Sequence, residues 1–297
     1  MSTDSYKKVK LVLWTILFAN LAVAALKIVV GSVIKSASMT ADGFHSLTDG
    51  SSNIIGLIGI SIASKPVDED HPYGHKKFET LAGIFIAGLL FLAGAKVLVE
   101  AVTRFFNPVV PEVSALSLIT LIITLVINIF VSVYESKQGK KLNSYILISD
   151  SMHTRSDIYV SIGVLATLFC IKLGLPPIID TIASLVVTGF IIHAAVEIFK
   201  SNSDVLVDKA AVNIDDVKNI VMEFEQVKDA HDIRSRGRED DLHIDMHIMT
   251  DPDMSIEESH ELIHNIEKRL QDKINKDIHV IVHFEPFGEE SHTKMEI

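Results

Sequence analysis

The sequence predicts an α-helical membrane protein: a six-helix transmembrane domain followed by a small α+β cytosolic domain of order αββαβ. Three observations carry this reading. Hydrophobic residues make up 48% of the 297, and the mean hydropathy is +0.35, too apolar for a chain that keeps its charge at a water-exposed surface. Six apolar stretches each reach the roughly 20 residues needed to span a bilayer. The net charge of -11 is also unevenly placed, at +2 over residues 1–200 and -13 over residues 201–297. The boundary is placed at 208/209, giving domains of residues 1–208 and 209–297.

The apolar stretches cover residues 11–34, 39–64, 81–99, 113–133, 145–173 and 178–199. Turn formers punctuate the short connections: Lys65-Pro66, Asn107-Pro108, Pro111 and Pro176-Pro177. The first stretch follows Lys7, Lys8 and Lys10 as a signal peptide would, but it is too long and lacks a cleavage signature, so it reads as a retained helix. Ten basic residues lie near the span ends on the side of Lys7, Lys65, Lys76, Lys140 and Lys200, against Lys35, Arg104 and Lys172 on the other. This asymmetry places both termini in the cytoplasm.

The polar residues inside the spans are the informative ones. The second stretch holds Asp42, His45, Asp49 and Asn53, and the fifth holds Asp150, His153, Arg155 and Asp157. An ionisable group at bilayer depth costs at least about 2.5 kcal/mol, so it needs a partner or a function. His45 and Asp49 share a helix face at i,i+4, and His153 and Asp157 repeat the spacing on another helix. Facing each other, the pairs offer two imidazole nitrogens and two carboxylates, a donor set suited to Zn²⁺ or a neighbouring divalent transition metal. Interhelical hydrogen bonding is the alternative role for such groups. The matched spacing favours metal or proton handling.

The short loop 66–79 concentrates Asp68, Glu69, Asp70, His71 and His75, which is dense ligand chemistry. After residue 208, Ile214, Val217, Val221 and Phe224 recur at helical spacing over 213–227, with Asn213 as N-cap. Residues 229–238 and 241–249 read as strands, and Leu242, Ile244, Met246 and Ile248 alternate with His243, Asp245 and His247. A helix over 255–274 opens with a capping box from Ser255 to Glu258. In a last strand over 277–286, His279, His283 and Glu285 lie opposite the apolar face. With both helices on one side of the sheet, the other side displays histidine and carboxylate, a metal-binding or dimerising surface.

His260-Glu261-Leu262-Ile263-His264 matches the H-E-x-x-H pattern of zinc proteases. The domain is too small to build a substrate cleft around it, so a solvated helix face is the better reading. Cys170 is the single cysteine, which excludes an intramolecular disulfide and multi-cysteine metal sites. No phosphate-binding loop occurs, so no nucleotide is expected. The acidic second domain argues against a nucleic-acid partner.

On these residues the chain resembles the cation diffusion facilitator family, close to its bacterial divalent-metal exporters. The resemblance covers nearly the whole chain. It is most specific at His45-Ser46-Leu47-Thr48-Asp49 and His153-Thr154-Arg155-Ser156-Asp157. It implies a transport site at His45, Asp49, His153 and Asp157, a second site at Asp68, His71 and His75, and a cytosolic binuclear site at His231, His247, His260, His283 and Glu285. Residue 285 is Glu where the family's familiar residue is a shorter Asp. The resemblance further implies a homodimer in the inner (plasma) membrane whose cargo is Zn²⁺, with Fe²⁺, Co²⁺, Cd²⁺ and Mn²⁺ as other candidates. Zn²⁺ would also act as regulator on the cytosolic domain.

Metal ligands must be deprotonated, so metal binding and proton release are linked, and the expected activity is metal/proton antiport rather than enzymatic catalysis. Two rival readings are a membrane-tethered metal sensor that does not transport and a zinc protease using His260, Glu261 and His264.

Overall fold

The structure, a computed structural model, describes residues 3–33, 37–106, 115–173, 178–238, 241–274 and 277–288; within the helices, the side chains of several residues, His45 and Asp49 among them, lie outside the described residues. The chain forms two compact units, Met1–Ser203 and Asp204–Ile297.

The first unit is built from six helices: α1 (Thr3–Val33), α2 (Ala37–Ala63), α3 (Lys77–Phe106), α4 (Ala115–Leu142), α5 (Tyr145–Lys172) and α6 (Ile178–Leu206). Among the described residues, four segments are long and apolar enough to cross a membrane: Asp4–Val30, Lys77–Thr103, Leu118–Leu142 and Ile182–Leu206. Six helices form, and these four of them meet the length and apolarity of a span, against the six expected. In α2 the apolar run is the shorter Gly50–Ala63. In α5 the charged residues Asp150, Arg155 and Asp157 interrupt the apolar character. The two helices that fall short are those carrying the candidate ligand pairs.

Helix α1 packs along α2, α4 packs along α5, and α3 contacts both α2 and α5. Leu13, Ile16, Ile60, Ile86, Val131, Ile146 and Leu147 from α1 to α5 form one buried cluster. Leu90 of α3 joins Val187, Ile191 and Ile198 of α6 in another. At Gly83 a Cβ would lie 2.3 Å from Asn202 Oδ1, so the close approach of α3 to α6 requires glycine. Large apolar side chains such as Phe18, Leu92, Phe130 and Phe169 point outward, more than 60% exposed. A sheath of this kind suits hydrocarbon and is unusual for a surface in water.

The fourth apolar stretch ends at 133, but α4 continues to Leu142. The extra turns bring Glu135 into the bundle, where it is fully buried. Helix α5 then begins against another buried acid. Glu79 of α3 accepts hydrogen bonds from Ser144 Oγ (2.5 Å) and Ile146 N (3.3 Å). A carboxylate at a helix N-terminus satisfies amides that have no intrahelical partner and complements the helix dipole.

The second unit contains α7 (Ile214–Val221), β1 (Asp229–Arg238), β2 (Asp241–Thr250), α8 (Ile256–Ile274) and β3 (Ile278–Pro286). The sheet order is β1-β2-β3. β1 pairs antiparallel with β2, and near the end of β1 Gly237 has φ 104° and any Cβ would strike Asp241 O. β2 pairs parallel with β3, which demands a crossover. Helix α8 supplies it.

The expected caps form. Ser255 N donates to Glu258 Oε2 at 2.8 Å, Glu258 N donates to Ser255 Oγ at 3.2 Å, and Asp215 N donates to Asn213 Oδ1 at 3.0 Å. Leu242, Ile244, Met246 and Ile248 of β2 pack beneath Val217 and Val221 of α7 and Leu262, Ile266 and Leu270 of α8. Helix α7 stops at Val221, short of the expected 227. The chain tightens there into turns, with Phe224 N bonding Val221 O, and Glu223 is held by Arg269 and Lys273 of α8. Phe224 still packs on the core.

Candidate metal sites

The intramembrane candidates lie on two helices in contact, α2 and α5. Asn53, one turn beyond Asp49 on α2, donates a hydrogen bond to Oδ2 of Asp150, three residues before His153 on α5. Asn20 of α1 extends the seam by donating to Asn53 Oδ1 at 2.9 Å. His153 is 6% exposed, and neither ring nitrogen has a hydrogen-bond partner among the described residues. Buried polar groups are almost always satisfied, and leaving one unpaired costs about 1–3 kcal/mol, so the orphaned imidazole is a donor set without its acceptor. Asp157 follows one turn later and is half-buried. His45 and Asp49 occupy the facing helix, and their side chains lie outside the described residues.

The loop candidates come together. Asp68 Oδ1 lies 3.0 Å from His71 Nδ1, and Asp68 Oδ2 lies 3.3 Å from His75 Nε2. The ligand atoms of all three residues fall within 4.8 Å of one another. The backbone turns tightly through Gly74, with Gly74 N bonding His71 O at 2.9 Å, which brings residues seven apart into one cluster. His75 is buried, and its Nδ1 lies 3.0 Å from Pro66 O, which orients Nε2 toward Asp68. Such a second contact fixes tautomer and ring orientation in metal-binding histidines. Partial desolvation pushes the Asp68 carboxyl up, but hydrogen bonds from the His71 side chain and backbone, with the charge of His75, outweigh it and hold the group below its usual range.

In the cytosolic unit, strand register does the assembling. His231 of β1 pairs with His247 of β2, and His247 pairs with His283 of β3. Three histidines thus stand in a row across the displayed face, with His231–His247 and His247–His283 ring centroids 5.5 and 4.8 Å apart. Glu285, two residues further along β3, bridges two of them: Oε1 lies 2.8 Å from His247 Nδ1 and Oε2 3.3 Å from His231 Nε2. The longer Glu side chain therefore spans both rings. The ligand atoms of His231, His247 and Glu285 fall within 4.8 Å of one another.

Asp229, which the sequence did not single out, stands behind this cluster with Oδ2 3.4 Å from His231 Nδ1. Burial pushes its carboxyl up, and the hydrogen bond from Lys218 more than offsets this and lowers it.

His260 is not brought to this cluster. It pairs along α8 with His264, Nε2 to Nε2 3.2 Å. Among the described residues, no third protein ligand joins that pair as a zinc protease would require. His243 and His279 stack, their rings 5.1 Å apart, and complete no three-residue ligand group among the described residues. The buried acids Glu79 and Glu135 were also passed over, because their neighbours in sequence read as the ends of loops. An acid aligned in helical phase with an apolar run was the available signal for both.

Residues 13–207 match the family model described as the cation efflux transmembrane domain, and residues 210–287 match that of the cation efflux protein cytoplasmic domain. Similar proteins include an uncharacterized transporter of Methanocaldococcus jannaschii, 34% identical over 85% of this chain and 89% of its own length. Two manganese efflux system proteins of Bacillus subtilis are also similar. MneS is 30% identical over 90% of this chain and 92% of its own length, and MneP is 31% identical over 92% and 95%. These are transporters rather than enzymes. With both of its domains matched in order along one chain, the protein belongs to the cation efflux family.

Proposed function

We propose that this chain exports a divalent transition-metal cation by metal/proton antiport, through a site formed by His45, Asp49, His153 and Asp157. The observation that carries the reading is His153, buried in a helical bundle with both ring nitrogens unpartnered among the described residues. The contact between α2 and α5, tied by Asn53 and Asp150, supports two ligand pairs facing each other. Metal binding requires deprotonated ligands, so protons leave as metal enters and favour its release when they return. Imidazole titrates near neutral pH, which suits it to this exchange. Rocking of helices about the site supplies alternating access.

In this reading, residues 1–208 form a six-span transport domain in the inner membrane with both termini cytoplasmic. Residues 209–297 bind regulatory metal and dimerise. The Asp68–His71–His75 loop is a second metal site. Two imidazoles and two carboxylates favour Zn²⁺ as cargo. The similarity to proteins named for manganese efflux makes Mn²⁺ the second reading. Uptake of Zn²⁺ and Mn²⁺ into sealed vesicles by wild type and His153→Ala tests the proposal. Metal uptake by the wild type that is lost in His153→Ala supports it, and the faster metal identifies the cargo. Equal uptake by the two proteins overturns it.

A further inference from the structure

The proposed transport chemistry makes no use of the H-E-x-x-H segment of α8, yet two of its side chains are arranged as a chelate. Leu262, Ile266 and Leu270 turn from α8 into the domain core. His260 and His264, four residues apart, stand together on the exposed side of the same helix. The capping box of Ser255 and Glu258 holds the turn just before His260. His260 Nε2 and His264 Nε2 are 3.2 Å apart, with ring centroids 4.5 Å apart and ring planes at 85°.

Two nitrogens each about 2.0–2.1 Å from a tetrahedral Zn²⁺ lie roughly 3.3 Å from one another. The observed separation matches that bite. Two rings that both carry a lone pair on Nε2 repel at this distance, and a cation between them satisfies both. Glu267 Oε2 faces the other nitrogen of His264, 3.9 Å from Nδ1. A carboxylate on that side favours a proton on Nδ1 and leaves Nε2 as the ligand atom. We propose that His260 and His264 bind one divalent transition-metal cation on the outer face of α8, at a site separate from the sheet cluster of His231, His247 and Glu285.

The layering of the unit keeps the two sites apart. Helix α8 packs on the apolar face of β2, through Leu242, Ile244, Met246 and Ile248. His247 alternates with those residues and so stands on the opposite face, with His231 and Glu285 beside it. The pair on α8 looks away from that face, so one ion cannot serve both within a subunit. The electrostatics suit a cation: Glu257, Glu261 and Glu267 flank the pair against Lys268, and Arg269 is drawn off to Glu223 by two bonds of 2.9 and 3.0 Å. With two protein ligands and water in the remaining positions, the site is weaker than the three-ligand sheet cluster. The inference does not depend on whether the chain transports metal.

Zn²⁺ titration of the full-length protein in detergent, followed by calorimetry to saturation, tests it by counting ions per subunit. Both histidines are exposed, so their replacement leaves the fold intact. His264→Ala should bind one Zn²⁺ fewer than wild type, taken from the weaker phase. His260→Ala should lose the same ion, and the double variant should lose no more than either single one. The loss should persist when each substitution is made in a His283→Ala background. Equal counts in wild type and His264→Ala overturn the proposal, as does a double variant that loses two ions. A His260→Ala loss that vanishes in the His283→Ala background also overturns it, by assigning His260 to the sheet cluster.

Discussion

Asn53 and Asp150 join α2 to α5 by a side-chain hydrogen bond inside the transmembrane unit. Each lies within about one turn of a candidate ligand pair, so this contact fixes the rotation of both helices about the proposed metal site. Its amide also receives a bond from Asn20, which leaves the position intolerant of a shorter or apolar side chain.

Asn53→Ala should therefore lower stability by about 1–3 kcal/mol, the cost of leaving a buried acceptor unpaired. It should slow metal flux as well, because the ligand pairs lose their alignment. Thermal unfolding in detergent together with vesicle flux checks both effects. A variant with wild-type unfolding temperature and flux would show that the seam is incidental.

In the cytosolic unit, Glu285 contacts both His231 and His247. Glu285→Ala should weaken Zn²⁺ binding to this unit by at least roughly the 10–100-fold seen on removing outer-shell partners, since here a candidate ligand itself is lost. Calorimetric titration of the full-length protein measures it. His260→Ala should have a smaller effect within one subunit, because His260 meets His264 and not the sheet cluster.

Acid should act on the loop in a defined direction. The His71 hydrogen bonds hold the Asp68 carboxyl below its usual value. The contribution of this cluster is then fully present above the ordinary aspartate pKa of about 3.9 and is lost as pH falls through the lower folded-state value. The carboxyl chemical shift of Asp68, followed against pH in the metal-free protein, should show a midpoint below 3.9 that rises in His71→Ala. A midpoint at or above the ordinary value would contradict the geometry.

Leu270 is fully buried between α8 and the sheet. Leu270→Ala should destabilise the cytosolic unit by about 2–5 kcal/mol through lost burial and the cavity left behind. Denaturant unfolding followed by circular dichroism tests this. Glu261→Gln, in contrast, should leave metal flux unchanged, which separates the transporter from the zinc-protease reading.

The cytosolic cluster was legible because strand periodicity is strict. Alternation in 241–249 put His243 and His247 on one face, and pairing with His231 and His283 needed only the register that the apolar face dictates. His260 followed different rules: on a helix, a histidine four residues away is its nearest ligand-bearing neighbour, and His264 occupies that place.

The membrane helices were legible from apolar length except at their ends. Helix α4 outruns its apolar stretch, and Glu135 is buried there with a hydrogen bond from Thr154 on a different helix, a tertiary effect that no local pattern reports. The early stop of α7 has the same origin, since Glu223 is held by Arg269 and Lys273 46 and 50 residues away.

The central claim is that metal and protons exchange through His45, Asp49, His153 and Asp157. Zn²⁺ flux and vesicle pH, recorded together in sealed proteoliposomes under an imposed pH gradient, test it most directly when wild type is compared with Asp49→Ala and Asp157→Ala. The account predicts gradient-dependent Zn²⁺ movement with opposing proton movement in wild type, and loss of both in each variant. Flux that persists in both variants, or that ignores the gradient, would contradict it.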